Sequence, residues 1–197
     1  VQDVFNVHIG HAQDFNPTTR FTVDFTFMSG SYFQNTSNSL NDLLRQNVVS
    51  NATLTKYWEG TQNSMTVNLH RDQNLVPTAG SVELSEVLPS ISFNRSQSFP
   101  FRSASSGGSG DLKWYELIGY SYSGQLTNNR ITTRLDTSGT TSVDERRGVQ
   151  HVVTVNASPK VGYFTLAPFF NYYEKWYDKS INRQFNAADS SIATNDV

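Results

Sequence analysis

Apolar and polar residues alternate along most of this chain with a period of two. The longest case runs from Val87 to Asn129, where Ile91 and Phe93 alternate with Ser90, Ser92 and Asn94. That run ends on Phe99-Pro100-Phe101, and a Ser/Gly-rich tract, 102–111, forms an excursion. The chain returns as Trp114-Tyr115, with Ile118, Tyr120 and Tyr122 alternating against Gly119, Ser121 and Ser123. Side chains two apart share one face of a strand, so the spacing predicts long strands with one apolar and one polar face.

The same grammar recurs. Phe5, Val7 and Ile9 open a short strand. Phe21, Val23, Phe25 and Phe27 alternate cleanly with Thr22, Asp24 and Thr26, and the two segments predict a hairpin. Ala52 to Trp58 and Met65 to Leu69 are joined through Glu59-Gly60-Thr61, a turn signal. Val82 and Leu84 lie on even positions whereas Ile91 and Phe93 lie on odd ones, so a bulge or break near Pro89 is required to keep one face apolar. Further on, Arg130 to Asp136 reads as a weak strand, Thr137 to Arg147 as a charged loop, and Val149 to Ala157 as a strand. Tyr163 to Tyr177 reads as one aromatic strand and 180–197 as a polar loop. Only 37–49 departs from this spacing: Leu40, Leu43, Leu44 and Val48 fall on one helical face, predicting a short amphipathic helix inserted in a connection.

Composition sharpens this picture. The 197 residues are only 37% hydrophobic yet 13% aromatic, an odd pairing for a packed soluble core. A transmembrane barrel accounts for it, because only alternate residues need be apolar when the others face a wet lumen. No apolar run is long enough for a spanning helix. The net charge of -2 supplies no basic field for nucleic acid. Without cysteine there is neither a disulfide framework nor a thiolate metal site.

Candidate chemistry is sparse. His8 and His11 are three apart, which puts them on opposite faces of a strand, and no carboxylate pair completes a metal site. Asp144 and Glu145 are flanked by Arg146 and Arg147 and read as a solvated charge cluster. No nucleophile or phosphate-loop motif occurs, so the expectation is a protein that is not an enzyme and needs no cofactor or metal. Polar side chains assigned to a lumen are Asp24, Lys56, His70, Arg95 and Lys175. Aromatics at the strand ends, Phe99, Phe101, Trp114, Tyr115, Trp176 and Tyr177, fit an interfacial girdle.

The stretches YFQN (32–35), SNATLTKYWEGT (50–61), HRDQN (70–74), VELSEVLPSISFNRSQSFPF (82–101), KWYELIGYSYSGQLTNN (113–129), VQHVVTVNASPK (149–160) and YFTLAPFFNYYEKWYDK (163–179) come in an order that resembles the barrel region of the LptD/OstA family, in the form found in Bacteroidetes. These are strand and girdle patterns, specific through their order. The resemblance implies an all-β, antiparallel transmembrane barrel segment, about eight or nine strands of a larger barrel spanning 1–197. It implies lipopolysaccharide transport and assembly in the bacterial outer membrane. The partners implied are a plug lipoprotein of the LptE type and periplasmic lipopolysaccharide-bridge proteins, reached through an N-terminal domain that this segment lacks. Two other readings use the same pattern: another outer-membrane porin or small barrel, and a soluble carbohydrate-binding β-sandwich with Trp58, Trp114 and Trp176 stacking on sugars.

Overall fold

The computed structural model describes residues 4–29, 32, 47–102, 112–186 and 191–196. In chain order the strands are β1 (Asn6–Asn16), β2 (Thr19–Met28), β3 (Asn47–Tyr57), β4 (Asn63–Asn74), β5 (Val82–Ser98), β6 (Gly119–Arg134) and β7 (Thr141–Asn156). They continue as β8 (Lys160–Val161), β9 (Phe164–Thr165), β10 (Phe169–Tyr177), β11 (Ile181–Asn186) and β12 (Ser191–Asp196). Strands β1 to β7 and β10 form a single antiparallel sheet in that order. Two small hairpins, β8–β9 and β11–β12, stand outside it. Among the described residues β1 and β10 are its two edges, and the sheet is not closed.

Turn chemistry fixes the hairpins. Asn16 Oδ1 accepts from the Thr18 amide and hydroxyl at 3.0 and 2.8 Å, closing the β1–β2 turn. Gly60 (φ 68°) and Gly139 (φ 98°) take the left-handed conformation that the β3–β4 and β6–β7 turns require. At the latter, Asp136 Oδ1 accepts from Thr140 N and Ser138 Oγ at 2.9 and 2.7 Å. These bonds hold the Asp136 carboxyl well below the usual carboxylate range.

The change of phase near Pro89 is a bulge. Register jumps from Val87↔Asn129 to Ser90↔Thr127 on one side of β5 and from His70↔Val87 to Asn68↔Ser90 on the other. Leu88 and Pro89 therefore oppose one residue on each neighbour, and the Leu88 carbonyl accepts from Asn128 Nδ2 at 2.8 Å. The Leu88-Pro89 peptide is cis.

Other expectations are corrected. Residues 130–134 are not a separate weak strand but the continuation of β6, and 141–147 are not loop but the first half of β7. Charge does not prevent pairing there, because Arg130 lies directly opposite Glu145. The aromatic run 163–177 is two strands, since Pro168 carries no amide hydrogen and Phe164–Thr165 instead closes a hairpin on Lys160–Val161. Trp114–Leu117 forms one 3-10 turn ahead of β6. The polar tail contains the β11–β12 hairpin. Of the expected helix, 37–46 lie outside the described residues, whereas 47–49 belong to β3. The Ser/Gly-rich residues 103–111 also lie outside them.

Among the described residues this sheet has no second layer to bury against. Met28, Val48 and Leu75, with Tyr32 packed on them, form a small buried cluster where β2, β3 and β4 meet. Many large apolar side chains, among them Ile9, Leu126, Phe170 and Trp176, are exposed.

Candidate functional site: the two faces of the sheet

Directly paired residues in an antiparallel sheet project to the same side, so register assigns every side chain to a face. One cross-strand row crosses the entire sheet as Gln13, Phe21, Leu54, Val67, Ile91, Leu126, Val149 and Trp176. All but Gln13 are apolar. On either side of this row the apolar face does not follow the hydrogen bonds. On β1 and β2 it extends toward one end, through Phe25 and Phe27 with Ile9 and Val7. On β6, β7 and β10 it extends toward the other end, through Tyr120 and Tyr122, Val153 and Val155, and Phe170 and Tyr172. The band's centre slips by a little over one residue per strand. At about 3.3 Å per residue and 4.8 Å between strands this is a slope of roughly 40°.

Charged residues bound the band on that same face. At one end Ser50, Arg71, Glu86, Arg130 and Glu145 are paired in sequence across β3 to β7. Arg71 Nε lies 3.4 Å from Glu86 Oε1, with side chains only 16% and 11% exposed, and Arg130 Nη1 lies 3.9 Å from Glu86 Oε2. Arg71 also sits over the Phe27 ring at 5.2 Å. At the other end Lys56 Nζ donates to Thr19 Oγ1 at 2.8 Å and Thr18 Oγ1 at 3.2 Å. Beside it on this end Arg95 stacks over Tyr120 at 5.1 Å and donates to Asn63 Oδ1 and Ser98 Oγ.

Between these limits a ladder of rings crosses the strands: Trp58 to Phe93, Phe93 to Tyr122 and Tyr122 to His151, each with centroids 6.0 Å apart, then His151 to Trp176 at 5.2 Å. Tyr122 leans over Gly124, whose missing side chain leaves room for it, and its hydroxyl lies 2.7 Å from Nδ1 of His151, the residue paired with Gly124.

The opposite face is mostly polar. Across β1 to β6 its side chains bond one another: His8 Nδ1 to Thr26 Oγ1 at 3.1 Å, His70 Nδ1 to Asn51 Oδ1 at 2.7 Å, Asn68 Nδ2 to Thr53 Oγ1 at 3.0 Å and Ser123 Oγ to Asn94 Oδ1 at 2.8 Å.

The residues singled out from sequence divide between the faces. Asp24, His70 and Lys175 project from the polar face. Lys56 and Arg95 do not: pairing with Met65 and with Tyr122 places them on the apolar face, where they end the band. Trp176 is on the apolar face and Tyr177 on the polar one. Trp114 and Tyr115 meet edge to face at 5.9 Å beyond the start of β6, and Phe99 lies under Arg102 at 4.1 Å in the turn that ends β5, with Phe101 exposed beside it. His8 and His11 face opposite sides, paired with Thr26 and Val23. Sequence reading missed the Arg71–Glu86–Arg130–Glu145 row. Its signal is parity, since Glu86 keeps step with Leu84, and Arg130 and Glu145 are symmetric about the β6–β7 turn.

The whole chain, residues 1–197, matches the family described as LptD protein. The chain belongs to the LptD family. That family serves lipopolysaccharide transport and assembly at the outer membrane, and the eight-stranded antiparallel sheet of this LptD chain is the β-rich architecture such a role uses. No curated protein and no solved structure matches the chain.

Proposed function

We propose that this chain forms part of the wall of an LptD barrel that inserts lipopolysaccharide into the outer leaflet around a plug lipoprotein of the LptE type. The slanted apolar band carries this reading. A single-layer sheet with an uncovered apolar face needs something apolar against it, and lipid is apolar without needing a second protein layer. The slope of the band relative to the hydrogen-bonded rows matches the tilt that strands take in membrane barrels, so a tilted sheet presents a level belt to the bilayer. On β4 the belt lies between Asn63, which accepts from Arg95, and Arg71. Their spacing is about 27 Å along the strand at 3.4 Å per residue, or roughly 20 Å of depth at that tilt.

In this arrangement the polar face, with Asp24, His70 and Lys175, lines the lumen. Lys56, Arg95, Arg71 and Arg130 sit at the headgroup levels, and Phe99, Phe101, Trp114, Tyr115 and Trp176 serve as interfacial aromatics, whereas Tyr177 faces the lumen. Of the other readings, a carbohydrate-binding sandwich needs two facing sheets, whereas all eight long strands lie in one.

The test is depletion of the full-length protein in its own cells, followed by surface labelling of newly made lipopolysaccharide. Loss of surface label, with lipopolysaccharide retained inside the cell, is the expected result. Undiminished surface delivery would sink the transport reading.

A further inference from the structure

The two strands that end the sheet run on past it. Asn156 pairs with Phe169 as the last step of the β7–β10 ladder, opposite Gly119 at the start of β6. Beyond that step Ala157 N donates to Pro168 O and Leu166 N to Pro159 O, both at 3.0 Å, and then Lys160 pairs with Thr165 and Val161 with Phe164. The register is unshifted throughout, so β8–β9 is the tip of the β7–β10 hairpin, turned by Gly162 (φ 61°) and Tyr163. Each of the two intermediate pairs lacks its second bond, because Pro159 and Pro168 have no amide hydrogen, and the ladder is weakest where the tip leaves the sheet. Among the described residues no strand flanks the tip on either edge. Residues Ala157 to Val161 carry it about 17 Å past the sheet at 3.4 Å per residue.

The alternation of the sheet continues into this overhang. Val155 and Phe170 lie on the apolar face, and the same parity adds Ala157 with Pro168, Pro159 with Leu166, and Val161 with Phe164. The other face takes Ser158, Lys160, Thr165 and Ala167. Val161, Phe164 and Leu166 are all more than half exposed, and Tyr163 at the turn is fully exposed. The β1–β2 and β6–β7 turns, by contrast, close on polar side chains, Asn16 with Thr18 and Asp136 with Ser138. Lys160 is the only charged residue in 157–168, so the tip carries one positive charge and no acid.

We propose that the 157–168 tip is a surface anchor that lies in the headgroup layer of the bilayer beside the wall, held by membrane phospholipid. This rests on the reading of the apolar band as lipid-facing and adds to it an element outside the wall. Face and charge both choose lipid over a protein in the lumen. The apolar side chains of the tip continue the face of the band, whereas a plug in the lumen would meet the face of Ser158, Lys160 and Thr165. An aromatic turn beside a lysine, with no carboxylate, suits an interface where rings sit among headgroups and an ammonium meets phosphate. A headgroup layer is only about 5–8 Å deep, so the tip is too long to stand upright in it. It lies across the layer, with Val161, Phe164 and Leu166 toward the acyl chains and Lys160 toward the phosphates.

The experiment uses the full-length protein with its plug in vesicles of phosphatidylethanolamine and phosphatidylglycerol. One cysteine, with any other replaced, carries an environment-sensitive dye at Tyr163, at Val67 in the band or at Thr140 in the β6–β7 turn. Lipids spin-labelled at the headgroup or deep in the acyl chain quench the dye according to its depth. At Tyr163, headgroup quenching several-fold above deep quenching is expected; at Val67 the reverse, and at Thr140 neither. Phe164→Ser with Leu166→Ser should cut the Tyr163 signal several-fold and leave Val67 unchanged. An undiminished signal would assign insertion to the dye and overturn the anchor. Lys160→Glu should lower the signal in these vesicles and not in phosphatidylcholine alone, and an equal effect in both would overturn the part given to phosphate and the lysine. No lipid quenching at Tyr163, with Val67 still quenched from the deep position, would overturn the anchor and leave the wall reading intact. Val67 unquenched from either depth would overturn the wall reading itself. A Tyr163 dye shielded from lipid quenchers and from aqueous iodide alike would mean that protein covers the tip, which also overturns a lipid anchor.

Discussion

The two faces of the sheet handle charge in opposite ways. On the apolar face charged groups gather at the ends of the band, and the most enclosed of them, Arg71 and Glu86, are paired. On the polar face charges such as Asp24 and Lys175 stand among hydroxyls and amides in mid-strand. The difference teaches that position along the strand, more than residue type, decides what a charge does here. In the proposed membrane setting a charge within the band would need lipid to solvate it, whereas at the band's end it would meet water and headgroups while its aliphatic stem covers apolar surface.

The strongest way to break the comparison is to move a charge into the middle of the band. Val67→Arg, between Leu54 and Ile91, should cost about 2–4 kcal/mol of folding stability in a bilayer, whereas Thr66→Arg, one residue away on the other face, should cost under about 1 kcal/mol. Urea titration of the full-length protein refolded into lipid vesicles measures both, and equal costs would mean the faces are not distinguished by lipid. Next in size is Glu86→Ala. It leaves Arg71 without its carboxylate in a mostly enclosed position and should cost about 2–3 kcal/mol, largely restored by the double replacement Arg71→Met with Glu86→Leu. If the double variant is as unstable as the single one, the pair does more than neutralise itself. The smallest effect concerns the β6–β7 turn, beyond the band. Because the folded Asp136 carboxyl is held below its unfolded value of about 3.9, its contribution is complete above that pH and is lost as pH falls through the folded value. Amide-exchange protection at Thr140 should weaken on acidification in the native protein. Asp136→Asn should abolish that dependence, and an unchanged acid response would assign it to another group.

Strands were legible wherever apolar residues alternate, because a period of two is a direct image of the pleat. That is how β2 and the bulge at Pro89 could be read without coordinates. Where the alternation is polar on both sides, as at Thr141 to Arg147, the pleat leaves no hydropathic trace, and only the pairing of Arg130 with Glu145 reveals it. Lys56 and Arg95 show the converse. Taking charge as the mark of the lumen sends them to the polar face, yet each keeps step with apolar neighbours, Lys56 with Leu54 and Arg95 with Phe93, and parity places them correctly.

The bulge in β5 sets a rule for how this strand can change in length. On either side of Leu88-Pro89, gaining or losing one residue would turn every following side chain from one face of the sheet to the other, whereas a pair preserves the order. Within the bulge itself a single deletion would instead restore one-to-one pairing with both neighbours, because Ile91 and Phe93 would then share the parity of Leu84 and Glu86 and stay on their face. Length variation among relatives should therefore appear in this strand in steps of two, except at the bulge, where a single residue can be lost.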